Sequence, residues 1–118
     1  MQVKMVSHAG DVLHVQAEGM IGQSDLANGE EPIAALLGPD TYSRKVLLSL
    51  ERSDHVDSLG VRWLLSCHKR FREAGGLLII HSVPPLIMQV LKVMRLDRVF
   101  NLADSETAAQ ARAEGGNA

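Results

Sequence analysis

The stretch Lys45-Val46-Leu47-Leu48-Ser49-Leu50-Glu51-Arg52-Ser53-Asp54-His55-Val56-Asp57-Ser58-Leu59-Gly60-Val61-Arg62-Trp63-Leu64-Leu65 decides the fold. Lys45 to Leu50 is almost continuously apolar, as in a central strand covered on both faces; a strand with one wet face would alternate. The period then changes. Val61, Leu64, Leu65, His68 and Phe71 recur at the three- and four-residue spacing of a helix, with Arg62, Ser66, Lys69, Arg70 and Glu73 opposite, so an amphipathic helix follows the strand. Asp57 or Ser58 can cap its start and Gly75-Gly76 can close it. Leu77 to His81 reads as a second buried strand. Strand, helix and strand in that order require parallel pairing through a right-handed crossover.

Working outward, residues 1–17 alternate in two short runs, Val3 to Ser7 and Val12 to Ala17, around His8-Ala9-Gly10-Asp11. Two runs joined by a glycine-containing turn predict a hairpin. Residues 18–31, with three glycines and Asn28-Gly29, read as loop. Pro32 then opens a short helix after Glu30 and Glu31, with Ile33, Ala34, Leu36 and Leu37 as its apolar face and Gly38-Pro39 as its stop. On the far side, Pro84-Pro85 opens a helix with Leu86, Ile87, Val90, Leu91 and Met94 on one face. Val99 to Leu102 is a last short strand, and Asp104 or Ser105 caps an alanine-rich final helix. The order β-β-α-β-α-β-α-β-α predicts a single-domain α/β fold over 1–114. Its mixed sheet begins with a hairpin, continues in β-α units and is flanked by helices, with 115–118 as a disordered tail.

Composition excludes several function classes. The chain has 118 residues, 46% hydrophobic and 22% charged, with a formal net charge of -2. That is one domain, with an expected radius of gyration of roughly 13–14 Å. One cysteine excludes an internal disulfide and points to a reducing, cytoplasmic compartment. No apolar run approaches the ~18 residues of a membrane span, and the N-terminus lacks a signal peptide's layout, so no membrane insertion is expected. Two Phe, one Tyr and one Trp beside near-neutral charge offer neither a basic field nor a stacking platform for nucleic acid.

The chemistry-bearing candidates lie where the central strand meets the best helix, at Ser53 to Gly60. The carboxyl ends of strands are where open α/β sheets meet ligands and partners, and a helix start offers free N–H groups. Asp57 also reads simply as a cap and Ser58 as a first-turn residue. His55, Asp57 and Ser58 contain the residue types of a hydrolase triad but stand too close in sequence, and no Gly-x-Ser-x-Gly elbow is present. No Gly-x-Gly-x-x-Gly and no Walker lysine occur. The five histidines are scattered over different elements; His68 reads as a core residue, not a metal ligand, and Cys67 as a small buried hydrophobe. Trp63 fits either packing or a partner surface. No enzyme, cofactor or metal is expected. A phosphoacceptor receiver also places an Asp after its third strand, but it opens β-α with an acidic pair, which His8-Ala9-Gly10-Asp11 does not supply.

From Lys45 to Phe100 the sequence resembles the STAS domain, the family of anti-sigma-factor antagonists and of sulfate-transporter tails. The matching pieces are Val46 to Leu50, Val56-Asp57-Ser58-Leu59-Gly60-Val61-Arg62-Trp63-Leu64-Leu65, Ala74-Gly75-Gly76-Leu77-Leu78-Ile79-Ile80, and Val90-Leu91 through Leu96-Asp97 to Val99-Phe100. The N-terminal hairpin extends the match to nearly the whole chain. The resemblance implies a non-enzymatic, protein-binding regulator of transcription. Such an antagonist sequesters a GHKL-type serine kinase that doubles as an anti-sigma factor, and phosphorylation of a serine at this helix start releases it. Phosphate adds about -1.5 to -2 charge at the docking surface.

Two departures from the family pattern bear on that switch. The family places its acceptor directly before the glycine, where this chain has Leu59. Ser58 is then a shifted phosphoacceptor, or no switch exists and Leu59 acts as a fixed apolar contact mimicking the unphosphorylated surface. An acidic residue usual in the loop after Gly19 is replaced by Gly22, with Asp25 close by. The resemblance thus assigns partner binding to Gly22, Asp25, Asp57, Ser58, Leu59, Gly60, Arg62 and Trp63, with a degenerate phosphorylation site. The alternative it allows is an accessory STAS subunit of an ABC-type lipid-transport ATPase complex. A homodimer through Trp63 is a further expectation.

Overall fold

The computed structural model describes residues 1–22 and 31–115. The expected hairpin forms from β1 (Gln2–Ala9) and β2 (Val12–Glu18), paired antiparallel. At its turn Gly10 takes φ 63°, a conformation glycine enters without a Cβ penalty. A bulge between Met5 and Ser7 leaves Val6 outside the ladder and exposed. Next come α1 (Pro32–Leu37), β3 (Lys45–Arg52), α2 (Ser58–Glu73), β4 (Leu77–His81), α3 (Pro85–Val93), β5 (Asn101–Ala103) and α4 (Glu106–Gly115).

The five strands lie in chain order, β1-β2-β3-β4-β5, and every pair after the first is parallel. This is the mixed sheet expected. The period-two alternation of strands divides its side chains between two layers. Leu13, Val15, Val46, Leu48, Leu78 and Ile80 pack under α1, α2 and α3. Val12, Leu47 and Ile79 pack under α4 through Ala109 and Ala113. β3 lies at the centre with Val46 to Leu50 buried throughout, Ser49 included, so its nearly continuous apolar run has the predicted cause. The Cα radius of gyration is 13.0 Å.

Four details differ from expectation. The final helix runs through Gly115, one residue past the expected limit, and 116–118 lie outside the described residues. The last strand is Asn101–Ala103. Leu96 and Phe100 both enter the core from a 3-10 turn at Leu96–Arg98, whose carbonyl at Leu96 accepts from the Val99 and Phe100 N–H groups. The strand cannot start until that turn ends. On α2 the buried flank is Trp63 and Cys67, while Leu65 and His68 are half-buried. On α1 and α3, Leu36, Leu86 and Met94 are exposed although their spacing placed them on apolar faces.

Candidate functional site

The start of α2 is assembled from two chain segments stitched by backbone bonds. After β2, the Gly19 N–H donates to the Arg52 carbonyl (3.0 Å) and the Ile21 N–H to the His55 carbonyl (2.9 Å). The Asp57 N–H returns to the Ile21 carbonyl (3.1 Å), so Ile21 and Val56 form an isolated parallel bridge beyond the sheet. Ser53, buried beneath, donates its hydroxyl to the Ala17 carbonyl (3.1 Å). Backbone groups that leave a sheet must find partners elsewhere, and here the two segments supply each other's.

Asp57 is the N-cap. Its backbone is extended and its carboxylate accepts from the Gly60 N–H at 2.9 Å. Ser58, the first helical residue, is exposed, Leu59 is half-buried, and Arg62 is exposed one turn on. Two expected contact residues instead act as spacers. A Cβ on Gly60 would run into the Ile21 carbonyl oxygen and the Val56 side chain, and one on Gly22 would run into the Asp57 carboxylate. Glycine at both positions lets the segments close. Both glycines are buried, so they shape the surface without forming it. Asp25 lies outside the described residues.

Trp63 corrects the expectation most sharply. It is only 6% exposed, and its indole N–H donates to Glu31 Oε2 at 2.8 Å. The indole is therefore a packing residue, and a homodimer built on it lacks the exposed ring it needs. Glu31 was missed as a site-shaping residue. It accepts from the Ile33 N–H (2.6 Å), the Ala34 N–H (3.2 Å) and the Tyr42 hydroxyl (2.5 Å), besides Trp63. One carboxylate thus caps α1 and ties it to α2. Burial, then the bond to Glu31, pushes the Tyr42 phenol up to about 12. The only sequence signal was an acid directly before Pro32; nothing local showed that Trp63 would reach it.

The other candidates resolve simply. Cys67 is buried, and burial pushes its thiol up. His68 is half-buried, edge-on to Phe100 at 5.7 Å, and held below the usual imidazole value by burial and then Arg72. His55 Nδ1 lies 3.0 Å from the Asp54 carbonyl, and the Asp57 carboxylate caps α2. Among the described residues no group of three or more His, Cys, Asp or Glu is placed to hold a metal ion, and no helix is long and apolar enough to cross a membrane.

Two grooves flank this architecture. One, about 520 Å³, adjoins the site between residues 54–56 and α3. The other, about 930 Å³, opens at the opposite ends of the strands near Gly10, Arg44, Arg72 and Val99, and touches none of the residues at the α2 start.

A hairpin-led mixed sheet with an exposed serine at the start of α2 defines the class as STAS-like. The chain matches the family model described as "Mlab, STAS domain" over residues 5–103, and it belongs to that family. It is 29% identical over 94 residues to the Bordetella bronchiseptica protein BtrV, named as an anti-sigma factor antagonist, covering 80% of this chain and 79% of the relative. A Thermotoga maritima structure solved under the same functional name superposes with a TM-score of 0.81 at 17% identity, covering 92% of each chain. A sulfate transporter family protein from Wolinella succinogenes gives 0.74 at 14% identity, over 92% of this chain and 89% of that one. At these identities the two structures speak to the fold alone.

Proposed function

We propose that this protein is a non-enzymatic regulator of the anti-sigma-factor antagonist type, which sequesters an anti-sigma factor that is also a GHKL-type serine kinase. The observation that carries the reading is the α2 start. Asp57 fixes the helix cap, Gly22 and Gly60 close the two segments beneath it, and Ser58, Leu59 and Arg62 stand at its surface. The relationship to BtrV supports the same assignment. Leu59 supplies the apolar contact and Arg62 a charged one, while Trp63 and Glu31 hold the helix from behind. Leu59 cannot accept phosphate, so any switch rests on Ser58, the exposed hydroxyl beside it.

The test is copurification with the GHKL-type kinase of the same organism, with the intact mass of the recovered protein read in parallel. Leu59→Asp is expected to weaken binding at least a hundredfold at an unchanged melting temperature; unchanged affinity would defeat the proposed surface. A phosphate on Ser58 would show a shifted switch, and its absence during kinase turnover would show a constitutive binder. A second reading, an accessory subunit of an ABC-type lipid-transport ATPase, is favoured by the non-acceptor Leu59. Recovery of a Walker-type ATPase without a kinase would select it.

A further inference from the structure

We infer that the groove at the amino ends of β3 and β4 is a binding site for a small organic phosphate, whose phosphate is held by Arg44 and Arg72. The site lies at the end of the sheet away from the α2 start, so the inference does not depend on how that surface is used. It is built on the double glycine after α2. A Cβ on Gly76 would run into the Tyr42 and Arg44 carbonyl oxygens, so glycine there lets the two segments cross. The Leu77 N–H then donates to the Arg44 carbonyl at 3.0 Å. Arg44, at the entry to β3, is thereby brought beside the last turn of α2, which carries Arg72. Both line the groove, as does Lys45.

Charge selects the ligand. The lining sets three permanent cations, Arg44, Lys45 and Arg72, against one carboxylate, Asp11, in a chain whose net charge is -2. Lys45 is partly engaged, since its Nζ donates to the Ala113 carbonyl (3.1 Å) and lies 3.9 Å from Asp11. Arg44 and Arg72 are exposed, and among the described residues neither guanidinium has a carboxylate or hydrogen-bond partner. Two unpaired guanidinia match one phosphate monoester, which carries about -1.5 to -2 charge and presents its oxygens in a geometry the guanidinium fork binds. The last carbonyls of α2, at Arg70, Phe71 and Arg72, already accept from the Ala74, Gly76 and Gly75 N–H groups, which masks the negative end of the helix.

The rest of the lining calls for an organic body. Leu13, Phe71 and Leu78 form an apolar floor, and Met5 and Val99 stand 40% and 45% exposed at its sides. A bare phosphate ion leaves that surface wet, whereas an apolar body covers it. His68 is half-buried in the wall, and among the described residues its ring nitrogens have no hydrogen-bond partner. Burial and then Arg72 hold it below the usual imidazole value, so near neutral pH the uncharged ring can donate one hydrogen bond and accept another. The volume, about 930 Å³, lies at the upper end of small-molecule clefts. A second copy on a two-fold axis would instead bring the same three cations against each other.

The test titrates the full chain by calorimetry at low ionic strength with phenyl phosphate and, separately, with inorganic phosphate. Phenyl phosphate should bind saturably, one per chain, at least about fivefold tighter than inorganic phosphate. Arg44→Ala and Arg72→Ala are each expected to weaken it at least about fivefold at unchanged melting temperatures. Lys92→Ala removes an exposed cation outside the groove and should bind as wild type. Flotation with phosphatidylcholine vesicles containing phosphatidic acid separates two sources of the same chemistry. Flotation lost in Arg44→Ala would support a lipid phosphate; phenyl phosphate binding without flotation would support a soluble one. No saturable binding of phenyl phosphate, or binding that survives both arginine changes, would overturn the inference. Equal affinity for inorganic phosphate would overturn the assignment to an organic phosphate. Sedimentation showing a dimer dispersed by Arg72→Ala would overturn it in favour of a second copy.

Discussion

α2 and α3 begin in equivalent places, each just past the carboxyl end of a buried parallel strand, yet they are built on different terms. The α2 start is polar and tightly held: Asp57 caps it, Ile21 and Val56 bridge beneath it, and Gly60 admits the Ile21 carbonyl. The α3 start has Pro84 and Pro85, no side-chain cap and exposed Leu86. Proline needs no cap at its own nitrogen, and its fixed φ already suits the first turn. One rim of the sheet thus carries two kinds of surface. The α2 start is fixed in shape by backbone closure and displays few groups in exact register, whereas α3 spends its polar positions sparingly and leaves an apolar surface open.

That contrast can be broken most severely at Gly60. Gly60→Val forces a side chain against the Ile21 carbonyl and should cost about 3 kcal/mol. Calorimetry should then show Tm lower by roughly 10–20 °C for a domain of this size. Gly60→Val melting like wild type would mean the two segments are not closed as described. A milder probe removes the cap alone. Asp57→Ala is expected to cost about 1 kcal/mol in urea unfolding, whereas Leu86→Ser at the α3 start should stay within about 0.5 kcal/mol. Equal losses would erase the distinction between a held helix start and an open one.

The finest test uses pH. His81, which ends β4 just before α3, and His68 on α2 are both held below the usual imidazole value, by burial first in each case. The unfolded histidines take up protons near pH 6.5 while the folded ones resist. Their contribution to stability is therefore complete above that pH and is lost as pH falls below about 6.5 toward the folded values. Melts between pH 8 and 5.5 should show this decline, and His81→Gln should flatten part of it. A slope unaffected by His81→Gln would assign the decline to other groups.

Much of the fold was legible because its signals are local. The nearly continuous apolar run at Lys45 to Leu50, the glycine turn at Gly10 and the change of period after Asp57 each dictate an element from neighbours a few residues away. The chemistry of the α2 start was partly legible for the same reason, since Asp57 and Ser58 announce a helix start. The spacing role of Gly22 and Gly60 was not legible, because what a Cβ there would meet, the Asp57 carboxylate and the Ile21 carbonyl, comes from a different segment. Trp63 sits on a flank of α2 that periodicity leaves neutral; the position of α1 and its Glu31 carboxylate decide that the indole turns inward.

Element order and the mixed sheet follow from the amino-acid sequence alone, because alternation, helical spacing and capping act within a single turn or strand. Tertiary packing sets which of those side chains are exposed at the α2 start. Burial is settled between segments distant along the chain: Glu31 reaches Trp63, Ile21 bridges to Val56, and α3 keeps Leu86, Val93 and Met94 outward because its own inner face, Ile87 and Leu91, already fills the space above the sheet.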